Sequence, residues 1–204
     1  MVKKEDKKVG DKKFIYIIIL VAFVLFFFVR DYNVGLTAVD TRYITIAAIE
    51  DISIDGGIVA MSTHEVYIGK DLNGDGDKGD IVLQFYNMET GEIENTKLGI
   101  GATDISYSNS VVAILTHESY INEDLNGDND KKDIVLQYYK DGKIINTGVN
   151  TGANDLSISN DKIVFLSKES LLNKDLNGDN DEKDRVLRSY DVETGEVSNL
   201  KIVI

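Results

Sequence analysis

Hydrophobic positions follow two rhythms along this chain of 204 residues. Near the start they are continuous: Phe14 through Val29 carries no charge and almost nothing polar. From residue 43 onward they come in short runs rich in Ile, Val, Leu and Tyr, cut by Gly, Asn and Asp. The first rhythm predicts an apolar helix and the second predicts β-strands.

The short runs repeat in register. Asp51, Asp104 and Asp155 open three units, 51–103, 104–154 and 155–204, and each lies twenty residues before Asp71, Asp124 or Asp175, where a second motif begins. Each unit starts with a short segment (Ile52 to Ile54, Ile105 to Tyr107, Leu156 to Ile158), followed by an apolar strand (Ile58 to Thr63, Val111 to Thr116, Ile163 to Ser167). After a polar loop come a third strand (Ile81 to Tyr86, Ile134 to Tyr139, Arg185 to Tyr190), a hairpin turn, and a fourth strand (Ile93 to Leu98, Ile144 to Val149, Val197 to Val203). Four short strands at a period near fifty predict a repeated four-stranded antiparallel sheet. The strand order, with Asp-x-Ser first and Glu-Thr-Gly after the Tyr-bearing strand in two units, resembles TolB-type and WD-like propeller blades over 51–204. The expected fold is all-β: three propeller-like repeats after a single N-terminal transmembrane helix, with a β-trefoil as the alternative. Three blades fall short of a ring of four to eight, so either further chains complete it or the sheets pack differently. One more strand, Tyr43 to Ala48, precedes the first unit and aligns with the fourth strands.

The loop between the second and third strands carries the candidate chemistry. It reads Asp71, Asn73, Asp75, Asp77 and Asp80 in the first unit, Asp124, Asn126, Asp128, Asp130 and Asp133 in the second, and Asp175, Asn177, Asp179, Asp181 and Asp184 in the third. Hard oxygens at the first, third and fifth places of a tight turn converge on one point, which suits calcium. Asp80, Asp133 and Asp184 close each site, and crowded carboxylates repel one another without a cation. The sixth place is Gly76, Asn129 or Asn180, residue types that tolerate a left-handed backbone. Neither His nor Cys lies in these loops, so copper, zinc and iron are disfavoured; magnesium is the rival cation. The first six loop residues resemble EF-hand and dockerin loops and, more closely, the loops of integrin-type (FG-GAP) blades, where a final Asp leads into a strand. The closing Asp stands one place later than in the integrin-type pattern. Position twelve is Val82, Val135 or Val186 where an EF-hand has Glu. The resemblance implies about three calcium ions, one per loop.

Charge sharpens the division. Residues 1–13 hold six lysines against three acids, and residues 31–204 sum to −17 within a total of −13. Nucleic acid is a poor partner for that acidic part. Lysines before the apolar run place residues 1–13 in the cytoplasm, 14–30 as a transmembrane signal anchor, 31–42 as a tether and 43–204 outside. Sixteen residues span about 24 Å, a little short of a ~30 Å hydrocarbon core, with Lys12, Lys13 and Arg30 able to snorkel. The competing reading is a signal peptide cleaved near Leu36-Thr37-Ala38, leaving a secreted domain. With no Cys there are neither disulfides nor thiol chemistry.

Other motifs are weaker. His64 and His117 occupy one place in two units, each followed by Glu, but the third unit has Lys168 there. Tyr86, Tyr139 and Tyr190 suit core packing better than a sugar platform. Ser53, Ser106 and Ser157 have no nucleophile motif around them, and no phosphate loop or triad stands out. The expectation is a calcium-binding module that binds or scaffolds and does not catalyse. Its expected partners are the membrane, further copies of itself, or another surface protein or glycan. The alternative is a structural subunit of a surface assembly, and a hydrolase using loop carboxylates is the third reading. If the anchor reading holds, mass spectrometry of the mature protein will find Phe14 to Val29 retained; a mature N-terminus beyond Val29 would establish cleavage.

Overall fold

The computed structural model describes residues 48–200. The expected basic tail, membrane segment, tether and most of the strand Tyr43 to Ala48 lie outside the described residues, as does the end of the last strand beyond residue 200. Among the described residues no helix is long and apolar enough to cross a membrane.

Twelve strands among the described residues form three separate four-stranded sheets, each ordered as in the sequence and antiparallel throughout. The first sheet is β1 (Ile49–Asp55), β2 (Ile58–His64), β3 (Ile81–Asn87) and β4 (Ile93–Gly99). The second is β5 (Ala102–Ser108), β6 (Val111–His117), β7 (Ile134–Lys140) and β8 (Lys143–Asn150). The third is β9 (Leu156–Ser159), β10 (Lys162–Lys168), β11 (Arg185–Asp191) and β12 (Val197–Asn199). Three distinct meanders are propeller-like blades; the trefoil alternative does not describe them. One helical turn per blade went unforeseen: α1 (Glu65–Ile68), α2 (Glu118–Ile121) and α3 (Glu169–Leu172), each ended by a left-handed Gly69, Asn122 or Asn173. Four residues are too few to impress a helical period on the hydrophobic pattern.

The core lies between the blades, so the middle blade buries both faces. Val112 and Ile114 face the first blade, packing with Ala60, Leu83 and Ile105, and Phe85 and Tyr139 close this layer. Val111, Ala113, Leu115, Leu136 and Tyr138 face the third, against Ile158, Ile163, Phe165 and Tyr190. A strand buried on both sides reads as an unbroken apolar run, and Val111 to Leu115 is one. Tyr139 and Tyr190 sit in these layers, the former 5.5 Å from Phe85 and the latter 6.0 Å from Tyr138 between ring centres.

First strands of successive blades are joined by side chains in place of a backbone ladder. Asp51 Oδ2, Ser53 Oγ and Asp55 Oδ2 accept hydrogen bonds from the backbone N–H groups of Ile105, Tyr107 and Asn109, at 2.8, 2.8 and 2.7 Å. Ser106 and Ser108 receive Ile158 and Asn160 in the same way, at 3.2 and 3.3 Å. Of the serines without a nucleophile motif, Ser53 and Ser106 are thus rungs between blades. Asp104, the equivalent of Asp51, is pushed up to about 6 by burial and then by Asp51 and Asp155. Its folded value stands above the ordinary 3.8, so ionised Asp104 opposes folding above pH ~6, and this opposition fades as pH falls towards 4. Asp104→Asn should therefore raise the melting temperature at pH 7.5, with the gain gone by pH 4; equal gains at both would contradict this origin.

Candidate metal centres

Each loop is built around a glutamate. Glu65, Glu118 and Glu169 open the three helical turns and are fully buried at 0% exposure, an expensive place for a carboxylate unless its oxygens are occupied. They are occupied by the two ends of the loop that follows. Glu118 Oε1 accepts from Leu125 N (2.6 Å) and Asn126 N (3.3 Å), and Oε2 from Asp133 N (3.0 Å). Glu169 does the same with Leu176, Asn177 and Asp184 at 2.7, 3.2 and 3.1 Å, and Glu65 with Leu72, Asn73 and Asp80. The backbone adds a bond from Glu65, Glu118 and Glu169 N–H to the carbonyl of Asp80, Asp133 and Asp184. An acidic side chain thereby ties the first and last turns of its own loop together.

Within the loop, side chains shape the backbone. Asp71 accepts from Gly74 N (2.6 Å) and Gly76 N (3.0 Å), Asn73 from Asp75 N (3.1 Å), Asp75 from Asp77 N (3.0 Å) and Asp77 from Gly79 N (2.7 Å). The sixth place is left-handed, as its residue types require, with φ of 102° at Gly76 and 74° at both Asn129 and Asn180. Asn95 on β4 donates to Leu72 O at 2.8 Å; Asn146 and Asn199 donate equivalently to Leu125 and Leu176. A register shift in β3–β4 and in β7–β8 places these first two amides beside the loop.

Three carboxylate triads result: Glu65, Asp77 and Asp80; Glu118, Asp130 and Asp133; and Glu169, Asp181 and Asp184. In each, one oxygen from every member lies within 4.8 Å of the others. The structure thus gathers Asp77 and Asp80 of the sequence-derived set and adds a glutamate. It turns both oxygens of Asp71 to the loop's own N–H groups, and Asp124 and Asp175 repeat this. Asn73, Asn126 and Asn177 donate to Asp80, Asp133 and Asp184 at 2.7, 2.6 and 2.8 Å. The glutamates were discoverable, because each stands six residues before the first loop Asp. Their burial was not visible in a pattern that reads Glu as surface.

Electrostatics within the loops run in pairs. Asp75, Asp128 and Asp179 are held below the usual carboxyl range, chiefly by the N–H groups of Asp77, Asp130 and Asp181. Burial raises Asp80 and Asp133, and the adjacent Asp75 or Asp128 raises them further against the opposing Asn amide. At Asp184 the Asn177 amide pulls down, but Asp179 and burial outweigh it. Two carboxyls close enough to share a proton, repeated three times, are groups a cation would relieve. The donors are all oxygen, which fits a hard divalent ion.

The histidines take separate roles. His64 Nε2 lies 3.3 Å from Glu50 and packs edge-on to Tyr67. His117 stacks on Tyr120, and burial lowers its pKa against a hydrogen bond with Asn154. Neither is in a triad. Arg188 replaces Gln84 and Gln137 in the third blade, with its guanidinium 5.4 Å above Phe165 and bonded to Ser167.

No family model matches the chain, and no curated protein matches it. Among solved structures it is similar to the beta-propeller domain of the Trilobed protease from Pyrococcus furiosus, with its open velcro topology. That match has a TM-score of 0.47 and 13% identity, and covers 74% of this chain and 41% of that one. It also matches the computationally designed Ika4 protein at a TM-score of 0.37 and 11% identity, over 82% and 78% of the two chains. The chain therefore spans less than half of that propeller domain's chain.

In chelator, where no metal contributes, Glu118→Ala should cost about 3 kcal/mol in urea unfolding because it strands buried N–H donors. Exposed Asp130→Ala should stay within about 1 kcal/mol. Equal losses would show that the glutamate does not organise the loop.

Proposed function

We propose that this chain is a membrane-anchored, extracytoplasmic, propeller-like module that binds one calcium ion in each of its three loops and serves to bind or scaffold a partner. The observation that carries the metal reading is the threefold recurrence of a buried glutamate and two loop aspartates in one arrangement, all offering oxygen. Glu118, Asp130 and Asp133 would hold the ion in the second blade. Their counterparts are Glu65, Asp77 and Asp80 in the first blade and Glu169, Asp181 and Asp184 in the third. The ion supplies positive charge where carboxyls crowd, and it ties the loop to the strand that follows. Three equal sites on three blades suit a structural role better than one special acid–base pair. Anchoring is supported by the uncharged run and the lysine bias before it.

Isothermal calorimetry on the full-length chain in detergent should detect about three calcium ions. Affinities should fall near the extracellular range of roughly 10⁻⁴–10⁻³ M. Removing Asp80, Asp133 and Asp184 together should abolish the heat. At ten to a hundred times the dissociation constant each site would add about 1.4–2.7 kcal/mol, so melts in chelator should fall well below those in millimolar calcium. Coincident melts would overturn the reading.

A further inference from the structure

The two interfaces between blades are built alike, and each end of the array presents half of a third. At the trailing end, Asp155, Ser157 and Ser159 correspond to Asp104, Ser106 and Ser108, and all three are exposed. Among the described residues no backbone N–H from another blade reaches their side chains. The sheet behind them is also open. Val164, Leu166 and Leu187 are only half-buried, whereas Ala113, Leu115 and Leu136 at the same places in the middle blade are at 0% exposure.

At the leading end, Ile52 and Ile54 are 60% and 59% exposed, while Ile105, the equivalent of Ile52, is at 4% and Ile158, the equivalent of Ile54, is at 7%. Ile105 gives its N–H to the preceding blade; that of Ile52 falls back on Asp51 Oδ1 at 2.8 Å. Deeper on this face Met61 is already buried, so the open part is the strip along β1.

We infer that a second copy of this chain seats its β1 against β9 of the first, head to tail, in the register already used twice within the chain. Ser157 then accepts from Ile54 N–H of the other copy, as Ser53 does from Tyr107 and Ser106 from Ile158. Ile52 and Ile54 gain the cover that Ile105 and Ile158 have. The occupant is a second copy because the acceptors and the donors left without a neighbouring blade belong to one sequence at matching positions. A head-to-tail contact closes into a ring when its rotation permits. Rings hold four to eight blades, and the only multiple of three in that range is six, so two copies close the ring. This contact does not depend on the loops holding metal.

Native mass spectrometry of the full-length chain, released from detergent micelles, should give the mass of two chains. Ile52→Lys with Ile54→Lys should give one chain, and both residues are exposed, so the fold should be retained. Because the chain has no cysteine, a second measurement stands apart from folding of that variant. Ser157→Cys and Ile54→Cys proteins, mixed and treated with a short bis-maleimide, should cross-link to each other and neither to itself. A one-chain mass for the unaltered protein, or Ile54→Cys linking to itself, would overturn the head-to-tail contact. Masses of three or more chains would overturn closure at six blades.

Discussion

A buried carboxylate with every oxygen occupied is the constraint on which each blade depends. Glu65, Glu118 and Glu169 each sit beneath a long acidic loop and hold its two ends by backbone N–H groups. Without that tie, a loop spanning twelve residues or more between paired strands would have to be ordered against its own entropy and the repulsion of its aspartates. With it, the loop leaves and rejoins the sheet at fixed points, and the third strand enters in register with the second. The same glutamate belongs to the carboxylate triad, so the group that shapes the loop is also one of the three acids that could hold a metal ion.

The blades are joined by a different chemistry. Short polar side chains on one first strand accept N–H groups of the next, while branched and aromatic side chains fill the layers between sheets. This lets sheets pack face to face while their inner edges stay satisfied, which matters because unpaired strand edges invite uncontrolled association. It also brings like charges near one another. Asp104 between Asp51 and Asp155 is the one such acid pushed to about 6.

Much of this was legible in the sequence. The period, the four strands of each unit and the left-handed sixth place of each loop follow from local pattern, because strand alternation and Gly or Asn turn chemistry act between near neighbours. The acids of the loops marked a candidate cation site for the same reason. Tertiary structure alone decided which acids meet. Glu65 approaches Asp80 from fifteen residues away, and Asp71 spends both oxygens on its own turn. The rungs joining Ser53 to Tyr107 and Ser106 to Ile158 cross 54 and 52 residues. Whether a serine is a rung, or a glutamate is buried at no exposure, depends on what packs against it, and the pattern along one strand does not carry that information.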